Sequence, residues 1–305
     1  MNGGQGSVSN YAIGRGFHIF DIANWITRGL ILLKEKMLFD AQRLLIIAGP
    51  CALESEQLVL DVADFLQKIQ QRFPQVQFIF KVSLDKANRS SVNSARGIGI
   101  EDGLIILEQL KRRYCFPVTT DVHLPEQAKE VAAVCDVLQV PAFLCRQTDL
   151  LAAVAKTKRT ISVKKGQFLS PQEMYYVLEK LRYFGAGEIW PIERGTTFGY
   201  NNLVVDMRSF MIVKQFSPVA IFDATHSVQL PGAGNGKTVG CREFVEHLAY
   251  GALAAGANGL FFEVHPNPSE AICDGANQLD VHHFEKIVKN CLEFWQLRKT
   301  VCCDI

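Results

Sequence analysis

The chain of 305 residues lacks any excess of one charge: 32 Lys and Arg face 31 Asp and Glu. That excludes a generally basic nucleic-acid binder, while leaving room for a local basic pocket. It lacks a run long and apolar enough to cross a membrane. The best candidate, around Phe17–Leu33, is broken by Asp21, Asn24 and Arg28. The same segment has no basic leader before an unbroken apolar stretch, so it is a poor secretory signal. The nine cysteines form no dense framework and no CxxC pair. Their scatter fits a reducing, cytoplasmic compartment in which most thiols are small buried hydrophobes. What the chain does have is apolar mass. With 48% hydrophobic and 21% charged residues it can bury a sizeable core, and global disorder is excluded.

Residues 1–36 stand apart as an N-terminal extension. Positions 1–16 are rich in Gly, Ser and Asn and read as disordered, and 17–36 read as an amphipathic helix, with Met37 as an alternative start. From residue 43 one pattern recurs: a short apolar run ends in polar residues and a helical stretch follows. The runs are Leu44–Ala48, Phe78–Val82, Pro117–Asp121, Val137–Pro141, Thr160–Val163, Glu188–Ile192, Val219–Asp223 and Gly259–Glu263. Helical stretches lie over Glu54–Gln71, Glu101–Arg113, Pro125–Cys135, Thr148–Lys156, Pro171–Phe184, Cys241–Gly256 and Val281–Gln296. Continuous Val, Ile, Leu and Phe runs suit strands buried on both faces of a parallel sheet. Eight βα units over residues 37–305 predict a single (β/α)8 barrel, a TIM barrel. A doubly wound open sheet is the alternative, but no GxGxxG follows the first run.

In such a barrel the chemistry sits at the C-terminal ends of the strands, and reactive residues cluster just after each run. Lys81, Lys86, Arg89, Arg146, Lys164 and Arg194 form a cationic set. Converging cations repel unless anions bind between them, so the set points to more than one phosphate, or a phosphate with a carboxylate. Salt bridges to neighbouring loops are expected to absorb one or two of the six. Closing the barrel makes the first, seventh and eighth strands neighbours, which brings Cys51, His226 and Glu263 together, with Asp274 a fourth donor. Mixed sulfur, nitrogen and oxygen donors suit a divalent metal: zinc, ferrous iron or manganese. Taken alone, Cys51 reads as a packed thiol and His226 as a hydrogen-bonded strand end. His265 shares a strand face with Glu263 and competes as a ligand, and Asp121 and His123 form a second same-face pair. The Gly-rich stretch 231–237 lacks the spacing of a phosphate loop and reads as a mobile cover over the barrel mouth.

The ordered motifs carry a resemblance. Ile47-Ala48-Gly49-Pro50-Cys51, Phe80-Lys81 with Lys86-Ala87-Asn88-Arg89-Ser90-Ser91, the run from Gln139 to Asp149, Val163-Lys164-Lys165-Gly166-Gln167-Phe168, Glu193-Arg194-Gly195, the run from Phe198 to Leu203, and Asp223-Ala224-Thr225-His226-Ser227 closely resemble the 3-deoxy-D-manno-octulosonate-8-phosphate synthase family (2-dehydro-3-deoxyphosphooctonate aldolases). The resemblance runs from about residue 43 to 295 and leaves out the extension and the Cys302-Cys303 tail. It implies condensation of phosphoenolpyruvate, D-arabinose 5-phosphate and water to the eight-carbon sugar-acid phosphate and inorganic phosphate, a step of Kdo and lipopolysaccharide synthesis. It implies that Lys86, Lys164 and Arg194 hold phosphoenolpyruvate, helped by Lys81, Ser83 and Gln139. Asn88, Arg89 and Ser90 would hold the arabinose phosphate, and Arg146 would reach the sugar phosphate of a neighbouring subunit in a homotetramer. Family members with Asn after Gly-Pro work without metal and members with Cys use one, so Cys51, with His226, Glu263 and Asp274 in register, implies the metal-dependent kind. His123 is a candidate proton shuttle. The heptulosonate synthases carry a Lys-Pro-Arg-Thr-Ser type motif where this chain has Lys86-Ala87-Asn88-Arg89-Ser90, which favours the five-carbon acceptor. Two rivals stand beside this reading: a Schiff-base aldolase using Lys81 or Lys164, and a non-catalytic barrel that binds sugar phosphates or a structural zinc.

Overall fold

The computed structural model describes residues 37–89, 91–234 and 239–301. The expectations for residues 1–36, for Ser90 and for the tip of the Gly-rich stretch lie outside the described residues. The chain divides into Met1–Leu38 and Phe39–Ile305, and everything below concerns the second unit.

The apolar runs form eight strands: β1 (Leu44–Gly49), β2 (Val76–Lys81), β3 (Val118–Asp121), β4 (Val137–Val140), β5 (Thr160–Lys164), β6 (Ile189–Glu193), β7 (Ile221–Asp223) and β8 (Gly259–His265). Each pairs in parallel with the next. β8 returns to β1 from Leu45↔Gly259 to Gly49↔Glu263 and closes the barrel. Closure leaves no free edge, and helices cover the outer face, so nearly every strand residue is buried.

Alternation along the strands sorts the side chains. Leu44, Ile46 and Ala48 of β1, and Leu260, Phe262 and Val264 of β8, join the core between sheet and helices. Leu45, Ile47, Phe261 and Glu263 take the opposite, inner face. The last inward position of β2, β3, β4, β5 and β7 is therefore Lys81, Asp121, Gln139, Lys164 and Asp223, and with Glu263, one inward position before the end of β8, they form an ionic or polar ring at one end. At the first turn into that ring β1 comes very close to β2. A Cβ on Gly49 would lie 1.9 Å from the Lys81 carbonyl oxygen, so only glycine fits.

The helices are α1 (Glu56–Arg72), α2 (Ile100–Tyr114), α3 (Gln127–Val134), α4 (Thr148–Lys156), α5 (Met174–Tyr183), α6 (Ser209–Lys214), α7 (Val245–Ala254) and α8 (Val281–Val301). Ser55 starts α1 by accepting the Leu58 amide at 3.2 Å, so the helix begins after Glu54 rather than at it. The six-residue α6 is too short to show a helical period and was not among the expected helices. Two further elements sit on the strand-end loops. Thr196–Thr197 pairs with Leu203–Val204, and Leu279–Asp280 extends the sheet beside Val264–His265. No described helix is long and apolar enough to cross a membrane.

Candidate active site

The ring opens into a cavity of about 220 Å³ whose lining includes Lys86, Asn88, Arg89, Gln139, Lys164, Arg194, His226, Glu263 and Asp274. Its cations are held by partners that fix their directions. Lys164 Nζ lies 2.7 Å from Asp223 and 3.8 Å above the Phe261 ring. Arg194 donates to Gln229 Oε1 at 2.7 Å, while its Nη1 is buried without a protein partner. Since an unsatisfied buried guanidinium nitrogen is costly, that atom marks a place for an anion or water. Lys81 differs. It is 1% exposed and bound to Glu263 Oε1 at 2.5 Å and to the Cys51 carbonyl at 2.9 Å. With Lys164 and with Lys86, whose Nζ lies 3.8 Å from Glu263, it makes three ion-paired members of the six cations where one or two were expected.

Behind the cations lies the acidic cluster. One ligand atom from each of Cys51, Glu263 and Asp274 falls within 4.8 Å of the others. The Cys51 sulfur is 3.3 Å from Asp274 Oδ2. His226 Nε2 lies 3.5 Å from Glu263 Oε1 and 3.8 Å from Asp274 Oδ2. Its Nδ1 meets both Asp223 oxygens, at 2.8 and 3.0 Å. Asp223 thus orients the ring and leaves Nε2 facing two carboxylates, the arrangement that carboxylate-backed histidine ligands adopt. Two carboxylates, a ring nitrogen and a sulfur converge, and Glu263 Oε2 is buried with no hydrogen-bond partner. A cation between Cys51, Glu263 and Asp274 would take a sulfur and two carboxylate oxygens, with His226 Nε2 facing the two carboxylates from outside that three-residue set, so the donor types fit a divalent metal.

The electrostatics support this division. Burial pushes the Cys51 thiol up, and the Cys273 thiol and Glu263 push it further, well above its ordinary range. A neighbouring cation is what would ionise it. Burial would raise Asp223, but His226 and Lys164 outweigh it and hold the carboxyl well below its usual range. Glu263 is likewise held far down against burial by Lys81, His226 and Lys86. Asp121 is lowered by Lys86 and Lys81 against the same burial, and it accepts from Ser83 at 3.0 Å and Gln139 at 2.6 Å.

Other expected site residues are placed differently. Arg146 lines a separate cavity of about 120 Å³ with Glu173, Tyr176 and Lys180. Ser83 and His123 do not line the central cavity. His123 sits 4.0 Å from Asp121, and its Nδ1 is buried without a partner. His265 turns to Glu54 at 3.5 Å and accepts the Asn267 amide, so it is engaged away from the metal cluster. Asp223 was named from the sequence only as part of a strand end and a motif, with no role of its own, and Gln229 was not named. Asp223 had a signal, a strand-end carboxylate three residues before His226. Gln229, which bridges Arg194 and Asp274, had none.

Comparison with known proteins shows the family to which the chain belongs. The sequence model of the DAHP synthetase I family matches residues 34–300. A Campylobacter jejuni protein named 2-dehydro-3-deoxyphosphooctonate aldolase is 48% identical over 269 residues, covering 85% of this chain and 98% of its own. Proteins of the same name from Desulfotalea psychrophila and Protochlamydia amoebophila are 49% and 46% identical, covering 82% and 88% of this chain and 89% and 97% of theirs. With a match that spans the whole barrel, the chain belongs to the DAHP synthetase I family.

Proposed function

We propose that the protein condenses phosphoenolpyruvate with D-arabinose 5-phosphate and water, giving 3-deoxy-D-manno-octulosonate 8-phosphate and inorganic phosphate for Kdo and lipopolysaccharide synthesis. The observation that carries this reading is the single cavity with Lys86, Lys164 and Arg194 on one wall and the Cys51, Glu263, Asp274 cluster beside it. The substrates bring two phosphates and a carboxylate, which the cations match in sign and number. The relatives' shared name supports the same reaction.

In this reading C3 of phosphoenolpyruvate attacks the C1 aldehyde of the sugar, water adds at C2, and the C2–O bond to phosphate breaks. Lys86, Lys164 and Arg194 bind the phosphoenolpyruvate anion, with Gln139 beside them, and hold it against the aldehyde. Asn88, Arg89 and Ser90 bind the sugar phosphate. Positive charge develops at C2 during attack, and the fixed dipoles and charges around the cavity stabilise it without reorganising. Asp121 keeps Gln139 oriented, and His123 beside it is a candidate to move a proton. Cys51, His226, Glu263 and Asp274 would hold a divalent zinc, ferrous iron or manganese, which when bound supplies Lewis acidity and orientation for the aldehyde or water. Arg146, set apart from the central cavity, would serve a neighbouring subunit of a homotetramer, in a cytoplasm that keeps the thiols reduced.

A Schiff-base reading has one observation in its favour: burial lowers Lys164, against the pull of Asp223. Yet its ammonium is clamped by Asp223 at 2.7 Å and lies over an aromatic ring, an arrangement that suits a fixed cation. The test is free-phosphate release on mixing phosphoenolpyruvate with arabinose 5-phosphate, compared with erythrose 4-phosphate, and borohydride added during turnover. Release with the five-carbon sugar and no trapped adduct is expected. A borohydride-trapped lysine, or preference for erythrose 4-phosphate, would overturn the reading.

A further inference from the structure

We propose that Cys51 and Cys273 are a thiol pair that closes to a disulfide when no metal is held at Cys51, so that oxidation and metal uptake compete for one sulfur. The inference rests on the reading of Cys51 as a metal ligand given above. Both cysteines are free and buried, and their sulfurs lie 2.7 Å apart. A disulfide needs about 2.05 Å, so the pair can bond with little movement of the chain.

The approach is built by the fold. Cys51 ends the turn after β1, and Cys273 lies in the loop after β8, far away in sequence. One buried side chain spans both: Gln278 accepts the Cys51 amide at 3.2 Å and donates to the Cys273 carbonyl at 2.8 Å. Asp274 adopts a left-handed backbone, φ +48°, rarely taken by a non-glycine residue. That turn is held by the Asn277 and Gln278 amides on the Asp274 carbonyl, at 2.8 and 3.0 Å. Through it, the Cys273 sulfur and the Asp274 carboxylate both reach the Cys51 sulfur. Strain of this kind is kept where a site needs it. Here it places a second thiol against the sulfur of the candidate metal cluster. Neither sulfur lines the central cavity, but Asp274, whose carboxylate meets the Cys51 sulfur, does.

Peroxide is the oxidant class considered. The Cys51 thiolate attacks one peroxide oxygen, the O–O bond breaks, and with the released thiol proton the step yields a sulfenic acid and water. The Cys273 sulfur then attacks the Cys51 sulfur, and the hydroxyl leaves with the Cys273 proton as a second water. Two thiols and one hydrogen peroxide give one disulfide and two waters. The bonded sulfur has lost its thiolate charge and is no longer a ligand. A metal already bound to it blocks the first step in turn.

The test treats full-length protein, stripped by chelator or loaded with zinc, with hydrogen peroxide at alkaline pH, where more thiolate is present. Peptide mass mapping and zinc uptake are the readouts. In stripped protein the expected product is a Cys51–Cys273 cross-linked peptide, with zinc uptake lost and restored by a thiol reductant. Free zinc at about 100 times its Kd should slow cross-linking roughly hundredfold. Cys273→Ala should keep zinc uptake and turnover, but after peroxide its Cys51 should gain oxygen and not recover with thiol. Oxygen added to Cys51 in stripped wild type, with no cross-link, overturns the pair and leaves the metal reading standing. A cross-link that forms equally fast with zinc present, in protein whose zinc uptake it does not alter, overturns the metal role of Cys51 and the competition with it.

Discussion

Asp223 shows how much one buried carboxylate can organise. It accepts from Lys164 and from the ring and backbone nitrogens of His226, and it does so with no exposed surface. Burial alone would neutralise it, but the neighbouring charges win, as they do for Glu263 and Asp121. The consequence for stability has a definite sign. These carboxyls have folded pKa values below their unfolded values of about 4. Their contribution is therefore complete above that pH and is lost as pH falls through the folded values. Thermal denaturation should show a midpoint insensitive to these groups above about pH 5 and dropping steadily below about pH 4. A midpoint that rises on acidification would contradict this charge assignment. At this scale the sequence was partly legible. Strand order brings Cys51 and Glu263 together, because each closes or follows a barrel strand, and Asp274 joins them from the loop after β8, while His226 faces the two carboxylates from outside that three-residue set. Gln278 and Cys273 do not, since their roles depend on a loop whose path no periodicity encodes.

Among the elements, the strand-end loops do the positioning. Lys165 and Glu193 face away from the cavity, one position beyond Lys164 and one before Arg194. Lys165 donates to the Leu169 and Gly195 carbonyls at 3.1 Å each and to Thr196 Oγ1 at 2.9 Å, and Glu193 Oε1 accepts the Arg194 and Gly195 amides. The outer pair thus ties together the two loops that carry an inner cation each. Gly49 plays the matching part between β1 and β2. Gly49→Ala should force the strands apart against the Lys81 backbone and cost about 1–3 kcal/mol, as overpacking does. Urea denaturation measures it, and an unchanged midpoint would show that the approach is looser than described. The strands were legible because their runs are continuous and apolar. The helix α6 and the two short pairings were not: they are too brief for a period, and tertiary contacts decide them.

At the scale of the whole molecule, closure of the barrel turns eight separated strand ends into one mouth. The β8 to β1 pairing sets Glu263 beside Gly49, two residues before Cys51, and so completes the cluster. That closure was legible from eight βα units in the right length of chain. That Arg146 lines a separate cavity was not, because the strand pattern only places it after β4 among the other strand-end cations. The central claim is that the cluster needs a metal for turnover. Its most direct measurement is phosphate release from phosphoenolpyruvate and arabinose 5-phosphate by chelator-stripped protein, titrated with zinc, ferrous iron or manganese while bound metal is counted. The expected result is no release until metal is added, then recovery that saturates at one ion per chain. Undiminished release by protein that elemental analysis finds free of metal would contradict it.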